Sequence, residues 1–242
     1  MTQTIQNPIG YKQLEALNKQ VHRYALAKEP SFAFSSGINA LPLTISEFPL
    51  ACRHYPLVFV SPDGKGDFGA AAVTGLKQGQ NLFCGSDGNW RPQTYIPAYA
   101  RCYPFCLAAI VEDGKTRADK LVCMDAGAVV KDGQELFDAE GIPTKVWRER
   151  EQLLQEYEND AIKTAEMCRA LKSMSLLKEF AIQVASANKE LFNLAGMYRV
   201  DEAALTKLSA YQFRKLIEQG WMEKIYAHII SLRNFQSLLD HA

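Results

Sequence analysis

Between residues 56 and 124 the apolar positions come in short runs separated by glycine, proline and asparagine. Residues 56–60 (PLVFV) form a continuous apolar run closed by Ser61-Pro62-Asp63-Gly64, the pattern of a buried strand ending in a turn. Residues 68–76 (FGAAAVTGL) read as a second strand, whose small side chains invite close approach by another backbone or side chain. Residues 81–84 read as a third, and residues 85–89 as a tight turn in which glycine and asparagine adopt positive φ. Residues 95–99 read as extended, since proline pushes its predecessor out of the helical region. Residues 106–111 and 121–124 read as strands joined through Asp113-Gly114. Upstream, residues 41–45 read as a short strand. Ser46 then caps a short helix running to Tyr55, with Pro49 in its first turn, where proline costs no hydrogen bond.

The pattern changes at about residue 143. From Thr144 to Asn188 there is neither glycine nor proline, and apolar residues recur at steps of three and four. This predicts one long amphipathic helix, or two broken near Ser173-Met174-Ser175. An unbroken helix would span roughly 66 Å, more than a domain of this size accommodates. Its charged positions, Arg148, Glu149, Arg150, Glu151, Glu156 and Glu158, read as a solvated face. Residues 191–200 interrupt the helices and fit a strand. Asp201 caps a short helix, Ser209 and Gln212 form a capping box, and Gly220 ends that helix. Residues 221–239 read as a final helix burying Met222, Ile225, Tyr226, Ile229, Ile230, Leu232, Phe235 and Leu238. At the other end, Leu14, Leu17, Val21, Tyr24 and Ala25 fit a short amphipathic helix or an irregular arm packed on the core, with His22 beside it as a partly exposed helix residue. The chain is expected to be α+β: a β-rich part over residues 1–143 and a helical part over 144–242 packed on it as one cooperative unit.

Composition narrows the class. The 242 residues carry 27 basic and 27 acidic side chains, so the balanced chain lacks the electrostatic footprint of a nucleic-acid binder. No apolar run reaches the roughly 20 residues of a membrane-spanning helix. The first residues lack a basic stretch followed by an apolar one, which argues against a secretory signal peptide. Six cysteines, none in a CxxC pair, read as reduced and structural, and point to the cytoplasm.

The common catalytic motifs are missing: there is no GxGxxG, Walker loop, GxSxG or HExxH. The four histidines do not pair with carboxylates at metal-ligand spacing, so neither metal nor cofactor is expected. Cys102, beside Arg101, is the best candidate nucleophile but reads more simply as packing. The richest stretch is 90–105, where Trp90, Tyr95, Tyr99 and Tyr103 offer flat surfaces with polar tips and Arg101 offers a planar fork for carboxylate or phosphate. Three prolines stiffen it. Two readings stand side by side: a ligand pocket using these residues together with His54, or a core in which Arg101 answers a buried carboxylate such as Asp87 or Asp125.

The same stretch carries a resemblance. Tyr55-Pro56-Leu57-Val58-Phe59, Gly79-Gln80-Asn81-Leu82-Phe83, Trp90, and the run from Tyr95 to Phe105 resemble the bacterial SapC family, as do Gly141-Ile142-Pro143-Thr144, Gly196-Met197-Tyr198-Arg199 and Ile225-Tyr226-Ala227-His228. Cys102 stands where the family pattern has a second basic residue. The resemblance spans nearly the whole chain. It implies association with a bacterial surface layer (S-layer), from which the family takes its name, and company with oxygenase, flavin-dependent halogenase and outer-membrane receptor genes. It supplies no catalytic residues. The expected function is therefore a non-catalytic accessory protein holding a peptide, protein partner or small ligand. The alternatives are an enzyme with an unrecognised site, drawing on Arg101, Tyr95, Tyr99 and His54, and a surface-layer or secretion component.

Overall fold

The structure is a computed structural model that describes residues 7–24, 26–61, 66–112, 115–130, 132–185 and 191–240. Its elements run β1 (Leu14–Ala16), β2 (Ala40–Leu43), α1 (Phe48–Ala51), β3 (Leu57–Val60), β4 (Gly69–Val73), α2 (Ala98–Cys102), β5 (Phe105–Glu112), β6 (Lys115–Asp125), α3 (Lys145–Ser173), β7 (Leu177–Ala185), β8 (Leu191–Val200), α4 (Glu202–Leu205), α5 (Ala210–Glu218), α6 (Trp221–Ser231) and α7 (Asn234–Leu239). The strands form two antiparallel sheets, ordered β1-β6-β5 and β2-β4-β3-β8-β7. The fold is α+β.

At the centre of the larger sheet β3 lies against β4, with Leu57 opposite Ala72 and Phe59 opposite Ala70. Ala70, Ala71 and Ala72 are all buried. Their small side chains let α3 lie against β4, the close approach that the sequence pattern predicts. Thr164 ties α3 to the segment after β2, accepting from the Ile45 amide at 2.8 Å and donating to the Asp160 carbonyl of its own helix at 2.6 Å.

β8 pairs with β3 only at Phe59 and Val60. Farther along, α6 takes over the backbone groups of Leu57. Ser231 Oγ accepts from the Leu57 amide at 2.9 Å, and His228 Nδ1 lies 2.8 Å from the Leu57 carbonyl. His228 Nε2 accepts from the Val200 amide at 3.1 Å, so the ring proton sits on Nδ1 and the imidazole is neutral. Burial lowers the pKa of His228 to about 4, in keeping with that role.

One helix joins the two sheets. α3 has 29 residues and is about 43 Å long. Near its start Trp147 and Leu154 pack with Phe105, Met124 and Phe137 in the smaller core. Near its end Met167, Cys168 and Leu171 belong to the larger one. It stops at the position foreseen, but a strand follows, not a second helix. Ser175 takes φ +53°, its amide bonds the Lys172 carbonyl at 2.9 Å, and the Leu176 amide bonds the Leu171 carbonyl at 2.9 Å. That is a Schellman closure with the apolar pair Leu171 and Leu176 beneath it. β7 then pairs with β8 from Leu177 opposite Val200. Leu177, Phe180 and Val184 fit a helical step, but the alternation of Phe180 and Ile182 with Glu179, Ala181 and Gln183 is a strand's.

Other expectations change. The N-terminal stripe is an irregular arm that contributes β1 and a turn. Val21 and Tyr24 are exposed there, whereas His22 is buried and accepts from the Asn18 amide at 2.9 Å. Thr44, not Ser46, opens the next helical segment, and Glu47 three residues on bonds back to it. Residues 81–84 form a turn with a single bridge from Cys84 to Trp90; the Asn81 side chain accepts from the Phe83 amide at 2.9 Å and donates to the distant Ser35 carbonyl at 3.0 Å. Tyr99 is helical, since α2 starts directly after Pro97. The final helix breaks between α6 and α7, and Tyr226 and Ile230 face outward. The capping box of Ser209 and Gln212 is present as foreseen. The turns expected at 61–64 and 113–114 fall on positions outside the described residues, apart from Ser61. No helix among the described residues is long and apolar enough to cross a membrane.

Candidate functional site

Residues 85–89 form the turn that leads into the aromatic stretch. Gly88 adopts φ +80°, and a Cβ there would lie 2.2 Å from Ser31 Oγ. Only glycine fits, and the Gly88 carbonyl accepts from the Phe32 amide at 2.9 Å. The turn thereby pins the segment carrying Phe32 and Phe34.

The six side chains singled out from the sequence do not converge. Trp90 is buried, donates from Nε1 to the Tyr55 hydroxyl at 3.1 Å, and meets Phe32 edge-on. Tyr99 is buried and donates to the Ile9 carbonyl at 2.6 Å. It lines a separate cavity of about 200 Å³ with Cys102, Cys106 and Tyr157. Tyr95 is partly buried and donates to Glu47 Oε1 at 3.1 Å. Burial, then the Glu47 charge, pushes its pKa up to about 12. His54 is half-buried after α1 and lines neither cavity, with its pKa lowered by burial and then by Arg53. Only Arg101 and Tyr103 share a pocket.

That pocket measures about 620 Å³ and lies beside the smaller core. Its size falls within the range of small-ligand sites. Tyr103 stacks on Phe34 with ring centroids 3.9 Å apart and planes 5° from parallel, and both line it. The Tyr103 hydroxyl reaches Asp125 Oδ2 at 3.3 Å. Leu26, Phe32 and Leu153 add apolar wall.

Arg101 is not spent on a carboxylate. The Asp87 side chain accepts from Asn89, and the buried Asp125 accepts from the amides of Lys12, Gln13 and Gly127. Arg101 instead donates from Nε to the Ile96 carbonyl at 3.1 Å and from Nη2 to the Tyr95 hydroxyl at 3.3 Å. Three of its five N–H donors remain free.

A second guanidinium stands in the same wall. Arg150 of α3 donates from Nη1 to the Arg101 carbonyl at 3.4 Å, the end of α2. Neither arginine has a carboxylate within 4 Å among the described residues. Glu29, also in the wall, is exposed and pairs with neither. The basic partner that the sequence lacks at Cys102 thus comes from another element. Arg150 reads as part of a solvated face, yet it lies three residues after buried Trp147 and four before buried Leu154, on the inward stripe of the helix. That spacing is the signal that could have found it.

The nearby thiols are not activated. Burial pushes Cys102 and Cys106 up to about 12, outweighing the opposing effect of Arg101 on Cys102. Among the described residues, no group of three or more His, Cys, Asp or Glu side chains could hold a metal ion.

The family model for SapC matches residues 17–238. No curated protein and no solved structure matches the chain. The match takes in β2 to β8, α3 and all of the arginine pocket, and the chain belongs to the SapC family.

Proposed function

We propose that the chain is a non-catalytic binding protein that holds a small anionic ligand in the arginine pocket, with Arg101 as its anchor. The observation that carries this reading is the pair Arg101 and Arg150. Two guanidinium groups without carboxylate partners among the described residues stand in the wall of a pocket of about 620 Å³. A cation so placed is a recognition element, because guanidinium forks match planar anions. Binding fits better than nucleophilic catalysis: Cys102 is held as a thiol, and His54 does not line the pocket. Six free thiols favour a reducing compartment, and we assign the chain to the cytoplasm on that ground.

The probe is 8-anilino-1-naphthalenesulfonate, an anion with a flat apolar body. Fluorescence titration is expected to give one saturable site in the natural chain. Arg101→Gln should weaken it about tenfold, the loss of a charge-assisted hydrogen bond. Equal affinity in the two proteins would overturn the reading.

A further inference from the structure

The pocket lining combines two chemistries. α2 and α3 bring to it Arg101 and Arg150, two planar forks. The stacked pair Phe34 and Tyr103, with Phe32 and, from α3 itself, Leu153, supply apolar surface. Both forks are held from behind. Arg101 is tethered through Nε and one N–H of Nη2, which leaves both donors of Nη1 and the second of Nη2. Arg150 is tethered through Nη1 alone, leaving four donors. Tethering lowers the entropy cost of ordering a long side chain around a ligand.

The one lining glycine, Gly127, gives its N–H to Asp125 Oδ1 at 3.2 Å and is not available to a phosphate. A bare inorganic anion would also leave the aromatic wall uncovered. Building on the anion-binding reading above, the geometry points to a ligand class: a carboxylic acid carried on a flat aromatic body. Its carboxylate lies between Arg101 and Arg150, and its rings lie against Phe34 and Tyr103. The Tyr103 hydroxyl is turned to Asp125, and that ring serves as an apolar surface.

The test is calorimetric, on the full chain, with 1-naphthaleneacetate, its neutral isostere 1-naphthaleneacetamide, acetate and inorganic phosphate. The acid is expected to bind at least about tenfold more tightly than the amide, with acetate and phosphate weaker still. Arg101→Gln and Arg150→Gln should each weaken the acid by about tenfold and leave the amide unchanged. Arg150→Lys should not restore full affinity, since an ammonium lacks the fork. If a variant fails to fold, the acid and amide on the natural chain decide the matter alone. The inference is overturned if the amide matches the acid, or if both glutamine variants bind the acid as the natural chain does. Phosphate binding that is tight and Arg101-dependent, without the acid, would also overturn it while leaving the anion-binding reading intact. Failure of every anion would remove both.

Discussion

At the scale of single residues, Glu47 determines how Arg101 is presented. Its side chain is buried, and its two oxygens take four donors: the Thr44 amide and hydroxyl, each at 2.7 Å, the Ala98 amide at 2.6 Å and the Tyr95 hydroxyl at 3.1 Å. Tyr95 in turn accepts from Arg101. One carboxylate therefore ties the turn after β2 to the start of α2 and, through Tyr95, orients the guanidinium. Glu47→Ala leaves these donors buried without a partner, and should cost about 3 kcal/mol or more in urea unfolding. A loss below about 1 kcal/mol would contradict the accounting. The spacing of Thr44 and Glu47 is that of a capping box and was open to reading. The link from Glu47 to Arg101 was not, because 51 positions separate Glu47 from Ala98 and nothing local signals their contact.

At the scale of elements, periodicity predicted β3 to β6 and α3 but read residues 177–185, which are a strand, as helix. β3 and β4 stand where apolar runs bounded by glycine and proline put them. The end of α3 was legible as a position but not as a mechanism. A serine occupies the left-handed site where glycine is usual, so no residue announced the closure that swings the chain into β7. That serine carries a conformational cost. Ser175→Gly relieves it and is expected to raise stability by about 0.5 kcal/mol, with the midpoint of chemical denaturation shifting upward. A lower midpoint would mean that the serine side chain contributes to the closure.

At the scale of the molecule, α3 spans both cores and delivers Arg150 beside the end of α2. The pocket draws on the segment around Phe32 and Phe34, on Arg101 and Tyr103, and on Arg150, stretches far apart in the chain. Sequence reading found the middle stretch because aromatic residues, prolines and an arginine crowd it. Two of the five residues singled out there are scaffold: Trp90 is buried and bonded to the Tyr55 hydroxyl, and Tyr99 is buried and bonded to the Ile9 carbonyl. The partners of Arg101 come from elements whose relation to it exists only once the sheets have formed. The most direct test is a crystal structure of the chain with 1-naphthaleneacetate. The carboxylate is expected about 3 Å from the nitrogens of both Arg101 and Arg150, with the rings against Phe34 and Tyr103. A ligand seated elsewhere, with both guanidinium groups bare, would contradict it.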